Sequence, residues 1–217
     1  MIALLCPTRA RPQQFARMFR SARETSKLDN VSVWSASNGD DSYVPMQFPI
    51  DTPTVHMWNS LAIEAMHKTD AKLFMLAADD IIFETAGWDN ALLEHYAKLD
   101  NKIHVYALQD SRDADGVPHV IATREYIQAV GYFLPPIFMH WNCDTWTVEI
   151  AKANNCFTHL RDYKLTHDKP SDTGKPDETH NHIRRMGWRE RDASVNETCQ
   201  HFLQCEKNRL ALHMRAK

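Results

Sequence analysis

Two adjacent aspartates, Asp79 and Asp80, directly follow a short and largely apolar segment, residues 72–78 (KLFMLAA). An apolar segment of this length is typical of a buried strand in a parallel sheet. Carboxylates at the carboxyl end of such a strand lie where open α/β sheets bind ligands. Hard oxygen ligands there suit Mg²⁺ or Mn²⁺ carrying a substrate phosphate. An ordinary polar turn that ends the strand is the alternative interpretation.

A second candidate site follows the first predicted strand, residues 2–6, and reads PTRARP over residues 7–12. A turn between a strand and a helix presents backbone N–H groups and a helix N-terminus, which suit an anion, and Arg9 and Arg11 add positive charge. An ordinary strand–helix loop is the alternative. The sequence contains neither GxGxxG nor GxxxxGK[ST], which disfavours classical dinucleotide-binding and P-loop proteins.

The segments that must position these residues alternate between strand and helix patterns. Strands are predicted at residues 2–6, 31–35, 72–77 and 104–108, and apolar residues at helical spacing lie around residues 15–22, 58–66 and 92–99. This alternation predicts an α/β fold built from βαβ units, with a mainly parallel sheet flanked by helices.

The pattern is looser after residue 110. Strands are predicted at 120–123 and 158–166, a helix at 144–154, and a polar loop, a candidate lid, at 168–179. Residues 188–215 have a helical pattern. We therefore expect one domain over residues 1–186 and a helical C-terminal extension, residues 187–217, packed on it.

Composition restricts the class and location of the protein. The chain has 217 residues, 43% of them hydrophobic, so it can bury a sizeable core. No segment approaches the roughly 20 apolar residues of a membrane span, and the first residues lack the basic region of a signal peptide. Five cysteines without framework spacing predict reduced thiols. We expect a cytoplasmic protein without a membrane partner.

Charge is unevenly distributed along the chain. Residues 1–27 carry six basic residues and one acid, and residues 184–217 carry eight basic residues and four acids. The two ends are thus +5 and +4, which leaves −12 between them in a chain of net charge −3. Basic surfaces of this kind can bind a polyanion. Solvated helix faces are the alternative interpretation.

Five motifs occur in an order that resembles a known family. They are PTR at residues 7–9, NGDD at 38–41, WNSLA at 58–62, Asp79-Asp80, and TAGWD at 85–89. Over residues 1 to about 180 this set resembles the GT-A glycosyltransferases, near the family-2-like enzymes found in phage genomes. One position departs from the usual Asp-x-Asp motif, because Ala78 precedes the two aspartates.

The resemblance implies a GT-A-like, Rossmann-like fold and a hexosyl or pentosyl transferase that uses a nucleotide-diphosphate sugar, UDP-linked, with Mn²⁺ or Mg²⁺. It assigns the metal to Asp80, in preference to Asp79, and to His167. It assigns the donor nucleotide to Pro7, Thr8, Arg9, Asn38, Asp40, Asn59, Asp79 and Lys175. Asp41 is an alternative to Asp40 and Lys169 an alternative to Lys175, and the lysines also fit a solvated loop.

The resemblance further implies a catalytic base. The segment HWNCDTW, residues 140–146, opens a predicted helix, and in this family an acid at such a place faces the acceptor. A sugar hydroxyl is a poor nucleophile until its proton is removed, so Asp144 is the predicted general base. A helix N-cap is the alternative role for Asp144.

The acceptor is left open by the sequence. The phage resemblance and the basic ends permit a hydroxymethylated pyrimidine in DNA, reached at its edge or flipped out, in which case the location is the host cytoplasm. Six arginines would then contact phosphates: Arg17, Arg20, Arg184, Arg185, Arg189 and Arg191. Glycan and small-molecule acceptors are alternatives. A metal-dependent nucleotidyltransferase or phosphohydrolase, and a non-catalytic nucleotide-binding module, are alternative classes.

Overall fold

The computed structural model describes residues 1–39, 41–110, 117–168 and 178–215. Over these ranges one sheet of eight strands is flanked by helices. The strands are β1 (Ile2–Pro7), β2 (Val31–Ser37), β3 (Met46–Gln47), β4 (Leu73–Leu76), β5 (Ile81–Phe83), β6 (Val105–Asp110), β7 (Val120–Thr123) and β8 (Phe157–His167). The helices are α1 (Pro12–Thr25), α2 (Thr54–Lys68), α3 (Trp88–Lys98), α4 (Arg124–Val130), α5 (Cys143–Ala153), α6 (Glu178–Arg185), α7 (Trp188–Thr198) and α8 (Gln200–Arg215).

The strand order is β3-β2-β1-β4-β7-β6-β8-β5, and four of the seven pairings are parallel. The antiparallel pairings are β4 with β7, β6 with β7, and β5 with β8. The carboxyl ends of β1, β2, β4, β6 and β8 therefore meet at one edge of the sheet, where β5 and β7 begin. This arrangement confirms the predicted α/β class with a sheet flanked by helices.

Strand β1 shows why the sheet lies in the centre of the core. All six of its residues are buried, and successive side chains point to opposite faces. Ile2 and Leu4 pack in the cluster that contains Met18 of α1, whereas Ala3 and Leu5 pack in the cluster that contains α2 and α5. A strand covered on both faces reads as a continuous apolar run, which is the pattern seen in the sequence.

Strand β8 contains an irregularity next to its partner β6. Leu108 pairs with Leu160, but the next residue, Gln109, pairs with Lys164, so residues 161–163 of β8 have no partner in β6. Such a bulge bends the strand and changes the side chains that face the site. Beyond it, β8 continues to His167 at the carboxyl edge of the sheet.

Several elements differ from the sequence predictions. The helix predicted over 188–215 is two helices, because Cys199 ends α7. Strands β3 and β5 and helices α4 and α6 were not predicted, and the last two residues of the predicted loop 168–179 belong to α6. The rest of that loop, residues 169–177, lies outside the described residues.

Helix α8 packs against α4 and α5, and Leu203 and Leu210 join the main core cluster. The division of the chain at residue 187 stays a prediction. In the part of the chain that the structure describes, no helix has the length and apolar character needed to cross a membrane.

Candidate active site

A cavity of about 790 Å³ opens at the carboxyl edge of the sheet. Its walls come from the ends of β1, β2, β4 and β8, from the start of α5, and from α6 and α7. The predicted site residues that line it are Pro7, Thr8, Arg9, Asn38, Asp79, Asp80, Asp144 and His167. Two further predicted residues, Asp40 and Lys175, lie outside the described residues, as does Lys169. The edge of the sheet thus brings most of the predicted residues into one cavity.

The two aspartates share a buried arginine. Arg11 Nη1 lies 2.9 Å from Asp79 Oδ1 and 3.4 Å from Asp80 Oδ2, and the arginine is only 6% exposed. Thr8 Oγ1 donates a hydrogen bond of 2.7 Å to the other oxygen of Asp79. Burial raises the pKa of Asp79 to about 6, against the opposing effect of Arg11. Both oxygens of Asp79 are therefore bonded to side chains of the turn that follows β1.

Asp80 is engaged differently. Its Oδ1 lies 3.1 Å from His167 Nε2, and among the described residues no donor reaches this buried oxygen with hydrogen-bond geometry. Burial alone would raise the pKa of Asp80, but His167 and Arg11 hold it below the usual value. Asp80 thus has a buried oxygen beside an imidazole nitrogen at the cavity wall, which is a suitable arrangement for a shared cation.

Two residues that the sequence did not single out lie beside His167. Asp110, at the end of β6, has its Oδ2 3.8 Å from His167 Nδ1, and the ring of His119 lies 5.0 Å from that of His167. One ligand atom from each of the three residues lies within 4.8 Å of the others. Asp110 could have been found as an acid that comes shortly after a predicted strand, as Asp80 does. His119 precedes an antiparallel strand, and no local pattern marks it.

The turn after β1 is held by residues of the β2–α2 connection. Ala10 has a left-handed backbone, with φ of 52°, and its N–H donates to both oxygens of Asp41 at 3.1 and 3.0 Å. Ser37 also donates to Asp41, and Tyr43 accepts from the N–H of Arg11 at 3.1 Å. Asp41, the alternative to Asp40 as a nucleotide ligand, is therefore used to hold this turn.

Arg9 and Asn38 lie together at the cavity wall. Arg9 Nη1 contacts the backbone and side-chain oxygens of Asn38 at 3.3 and 3.4 Å, and the amide nitrogen of Asn38 donates to Thr52 O at 3.0 Å. From α6, Thr179 Oγ1 donates to the carbonyl oxygen of Arg9 at 2.8 Å. These bonds fix the turn, Asn38 and the start of α6 relative to one another.

The side chain of Asn59, which was predicted to bind the nucleotide, is bonded to the backbone after α4. Its side chain accepts from the N–H groups of Phe133 and Leu134 at 3.0 and 2.9 Å and donates to Leu134 O at 2.9 Å. Asn59 is outside the cavity lining. Its amide, which is partly buried, holds the segment after α4 through these three hydrogen bonds.

Asp144 lies in the first turn of α5 and lines the cavity, on a wall that is formed by a helix and not by a strand. The N-cap position of α5 belongs to Asn142, which has a φ of 63°, so Asp144 is not the cap residue. The three residues before Asn142 donate their backbone N–H groups to Asp192 of α7. The structure thus leaves Asp144 at the cavity wall, held there by the C-terminal helices.

Comparison with known proteins gives structural matches only. No protein-family model and no curated protein sequence matches the chain. Staphylococcus aureus TarS 1–349 in complex with UDP matches with a TM-score of 0.58 and 11% identity, over 76% of this chain and 60% of that one. A longer TarS structure is covered over 39% of its length, so this chain spans well under two thirds of that protein.

Two further matches cover more of the chain. The mannosyltransferase PcManGT from Pyrobaculum calidifontis, in complex with GDP-Man and Mn²⁺, matches with a TM-score of 0.60 and 10% identity, over 99% of this chain and 74% of that one. Drosophila beta1,4-galactosyltransferase 7, in a mutant complex with manganese, UDP-Gal and xylobiose, matches with a TM-score of 0.52 and 14% identity, over 82% and 74%. The chain therefore has the GT-A glycosyltransferase fold.

Proposed function

We propose that the protein is a metal-dependent glycosyltransferase that moves a sugar from a nucleotide-diphosphate donor, a UDP-sugar, to a hydroxyl acceptor. One observation carries the proposal: in a GT-A fold, a single cavity contains the Asp80–His167 pair on the sheet side and Asp144 on the helical side. The Asp80–His167 pair can hold a cation, and Asp144 can accept a proton.

The residues around His167 fit a divalent cation. Ligand bonds of about 2.0–2.2 Å place neighbouring ligand atoms roughly 3 Å apart, and Asp80 Oδ1 and His167 Nε2 are 3.1 Å apart. Asp80 and His167 would hold the ion, with Asp110 and His119 behind the imidazole ring. A cation there supplies charge stabilisation to the departing diphosphate. The nitrogen ligand favours Mn²⁺ over Mg²⁺.

The turn after β1 supports binding of the donor nucleotide. Thr8, Arg9 and Asn38 line the cavity at the carboxyl ends of β1 and β2, where ligands of α/β sheets bind. The TarS and galactosyltransferase structures contain UDP or UDP-sugars, and the mannosyltransferase structure contains GDP-Man. We propose a UDP-sugar on the basis of this likeness. Asp79, bonded to Thr8 and Arg11, holds the turn in place.

The proposed reaction needs one proton acceptor. The acceptor oxygen forms a bond to the anomeric carbon of the sugar, the bond from that carbon to the diphosphate breaks, and the proton of the hydroxyl passes to the carboxylate of Asp144. Arg9, at the cavity wall, adds positive charge on the side of the leaving group.

The metal and donor assignments are tested by binding. Mn²⁺-dependent UDP-sugar binding, measured by calorimetry, should be abolished in Asp80→Ala, whereas Asp70→Ala, which removes an exposed carboxylate at the other end of the sheet, should bind normally. Wild-type affinity in Asp80→Ala would remove Asp80 from the metal site.

The base assignment is tested by turnover. Asp144→Asn keeps the size of the side chain but cannot take up the proton, so turnover should fall by roughly 10²–10⁴-fold with donor affinity unchanged. Glu149→Gln is the matched control, because Glu149 lies on the same helix, is exposed, and contacts Lys207 at 3.0 Å. An active Asp144→Asn enzyme would contradict the assignment.

The products decide between reaction classes. Release of a nucleoside diphosphate together with sugar transfer supports the proposal. Release of pyrophosphate or a nucleoside monophosphate would instead indicate a nucleotidyltransferase or phosphohydrolase. Tight nucleotide binding without turnover would indicate a binding module.

Fewer arginines lie at the cavity than the DNA-acceptor prediction assumed. Of the six arginines predicted to contact DNA phosphates, Arg184 and Arg189 line the cavity. Arg17, Arg185 and Arg191 instead contact acids at 2.6, 2.6 and 3.2 Å. We propose DNA with hydroxymethylated pyrimidines as one acceptor to test, beside glycans and small molecules. The phage origin and cytoplasmic location also stay predictions.

Salt dependence tests the DNA acceptor directly. Two phosphate contacts predict that affinity falls about tenfold between about 50 and 200 mM salt, whereas six contacts predict a fall of about a thousandfold. Arg184→Glu should flatten this dependence without changing UDP-sugar binding. No transfer to such DNA at low salt, with several donors, would leave a glycan or small-molecule acceptor.

A further inference from the structure

The carboxylate of Asp192, in α7, is fully buried and bonded to three consecutive backbone N–H groups. Met139 donates to Oδ1 at 2.9 Å, and His140 and Trp141 donate to Oδ2 at 2.8 and 2.9 Å. Arg191 Nη1 lies 3.2 Å from Oδ1. Consecutive N–H groups that converge on one point form an anion-binding concavity, and here a side chain of the same protein occupies it.

The segment held by Asp192 forms part of the cavity wall. His140 and Trp141 line the cavity, and α5 begins two residues further on with Asp144 in its first turn. Between them, Asn142 adopts a left-handed backbone, which asparagine tolerates better than most non-glycine residues. The bonds to Asp192 fix the backbone immediately before this residue.

Helix α7 makes two more bonds to the same wall. Asn196 Oδ1 accepts from Trp146 Nε1 at 2.7 Å, and Arg191 Nη1 donates to Ile137 O at 2.9 Å. The contacts therefore run from residue 137 to residue 146, on both sides of Asp144. They tie the first turn of α5 to a helix that is not part of the sheet.

We propose that Asp192 is a positioning residue that fixes the acceptor side of the cavity and with it the carboxylate of Asp144. This inference rests on the proposed function. A general base must lie within about 2.6–3.2 Å of the proton it removes, so a small displacement of this wall slows proton transfer. The donor is bound on the sheet side, by the turn after β1, which has its own bonds to Asp41 and Tyr43.

The protein contains a matched control for this proposal. Asp89, in α3, is also fully buried and accepts two backbone N–H groups, from Lys27 and Leu28, at 2.9 and 2.8 Å. It lies outside the cavity lining. Asp192→Asn and Asp89→Asn therefore make the same chemical change to a buried carboxylate of the same kind, one beside the cavity and one away from it.

The experiment compares the two variants in the whole 217-residue chain. We expect both to unfold at lower urea concentrations. Only Asp192→Asn should lower turnover, by about tenfold to a hundredfold, with UDP-sugar affinity unchanged in calorimetry. Hydrogen exchange of the backbone amides of residues 139–141 should accelerate in Asp192→Asn and stay slow in Asp89→Asn. If Asp192→Asn does not fold, Asn196→Ala, which removes the Trp146 bond, should show a smaller loss of the same kind.

The outcomes separate this inference from the proposed function. Equal loss of turnover in Asp192→Asn and Asp89→Asn would reduce Asp192 to a structural residue, and normal turnover in Asp192→Asn would overturn the inference outright. A wild-type protein that releases no nucleoside diphosphate would overturn the proposed function and the positioning role together. Amide exchange would still report whether Asp192 holds the segment, because it needs no activity.

Discussion

The two ends of the central sheet use the same ionisable residue types in different ways. At the amino end, Arg124 donates to three backbone carbonyl oxygens at 2.8, 3.1 and 2.8 Å, and Asp89 accepts two backbone N–H groups. At the cavity end, Arg11 contacts the two aspartates, and Asp80 contacts His167. Arg124 and Asp89 are thus bonded to the backbone, whereas the charged groups of Arg11, Asp79, Asp80 and His167 contact one another; Asp41 and Asp192, which support the cavity walls, follow the first pattern.

This difference indicates that the charged groups at the amino end serve the stability of the fold, whereas those at the cavity end can also serve ligand binding. A bond to the backbone is fixed by the fold, so its partner cannot be exchanged. A contact between two charged side chains can give way to a ligand of the same charge, because the remaining side chain stays neutralised. We therefore expect the cavity end to respond to cations and the amino end to respond only to changes in the fold.

Arg11→Met should give the largest effect. It leaves two buried carboxylates without their cation, which costs about 4 kcal/mol of the free energy of unfolding. Millimolar Mn²⁺ should restore part of this loss, because a bound ion replaces the guanidinium and stabilises the folded state. Urea unfolding with and without Mn²⁺ measures both. If Mn²⁺ raised the free energy of unfolding equally in the wild type and in Arg11→Met, the ion would not be replacing the guanidinium, and the proposed difference between the two ends would be wrong.

Arg124→Met should cost slightly less, about 3 kcal/mol, because three hydrogen bonds from a charged donor are lost. Two of the carbonyl groups lie near the end of α2, where arginine also compensates the helix dipole. The same urea experiment should show no additional rescue by Mn²⁺, and turnover should stay at the wild-type level at a temperature where the variant is folded. Rescue by the cation would mean that the two ends are not independent.

His104, at the amino end of the sheet, should make the stability of the protein depend on pH. Burial, with a smaller effect from His95, lowers the pKa of His104 to about 4, below its usual 6.5. As the pH falls, the unfolded chain takes up this proton first, so the stabilisation present above pH 6.5 is lost between about pH 6.5 and 4. His104→Gln, which retains a side chain able to bond Thr158, should flatten this part of the stability profile. Identical wild-type and variant profiles would contradict the assignment.

Ala10→Gly should give the smallest effect and the opposite sign. Removing the side chain relieves the left-handed backbone at Ala10, and the greater freedom of glycine in the unfolded chain offsets part of this, so a net gain of about 0.5 kcal/mol is expected. Ala16→Gly, in the middle of α1, is the control and should lose about 1 kcal/mol. A loss at Ala10 as large as at Ala16 would show that the turn stores no strain.

The sequence predicted the long elements of the fold for a simple physical reason. Strands covered on both faces are apolar throughout, so β1 and β4 were recognisable without alignment. Strands β3 and β5 have two and three residues, too few to show a period. Helix α4 did carry a readable signal, because Thr123 caps its start and Gly131 ends it.

The site was predictable where it depends on the ends of strands. Asp79, Asp80 and His167 each end or follow a strand that the sequence revealed, and the sheet brings them together. The residues that contact and position them could not be predicted from the sequence. Arg11 is 68 residues from Asp79, and Asp192 is about 50 residues from the segment before α5 that it holds. Contacts at such separations depend on the folded topology, and no local pattern contains them.

The three residues of β8 that lack a partner in β6 also bear on where this protein can change in length. The residues beyond the bulge are held by their own pairings, Lys164 with Gln109 of β6 and His167 with Ile81 of β5, so the place of His167 beside Asp80 does not depend on how many residues precede it. A bulge confines extra residues to one point of a strand. In evolutionary terms, residues 161–163 are a place where relatives can differ in length while the half of β8 next to the site stays constant.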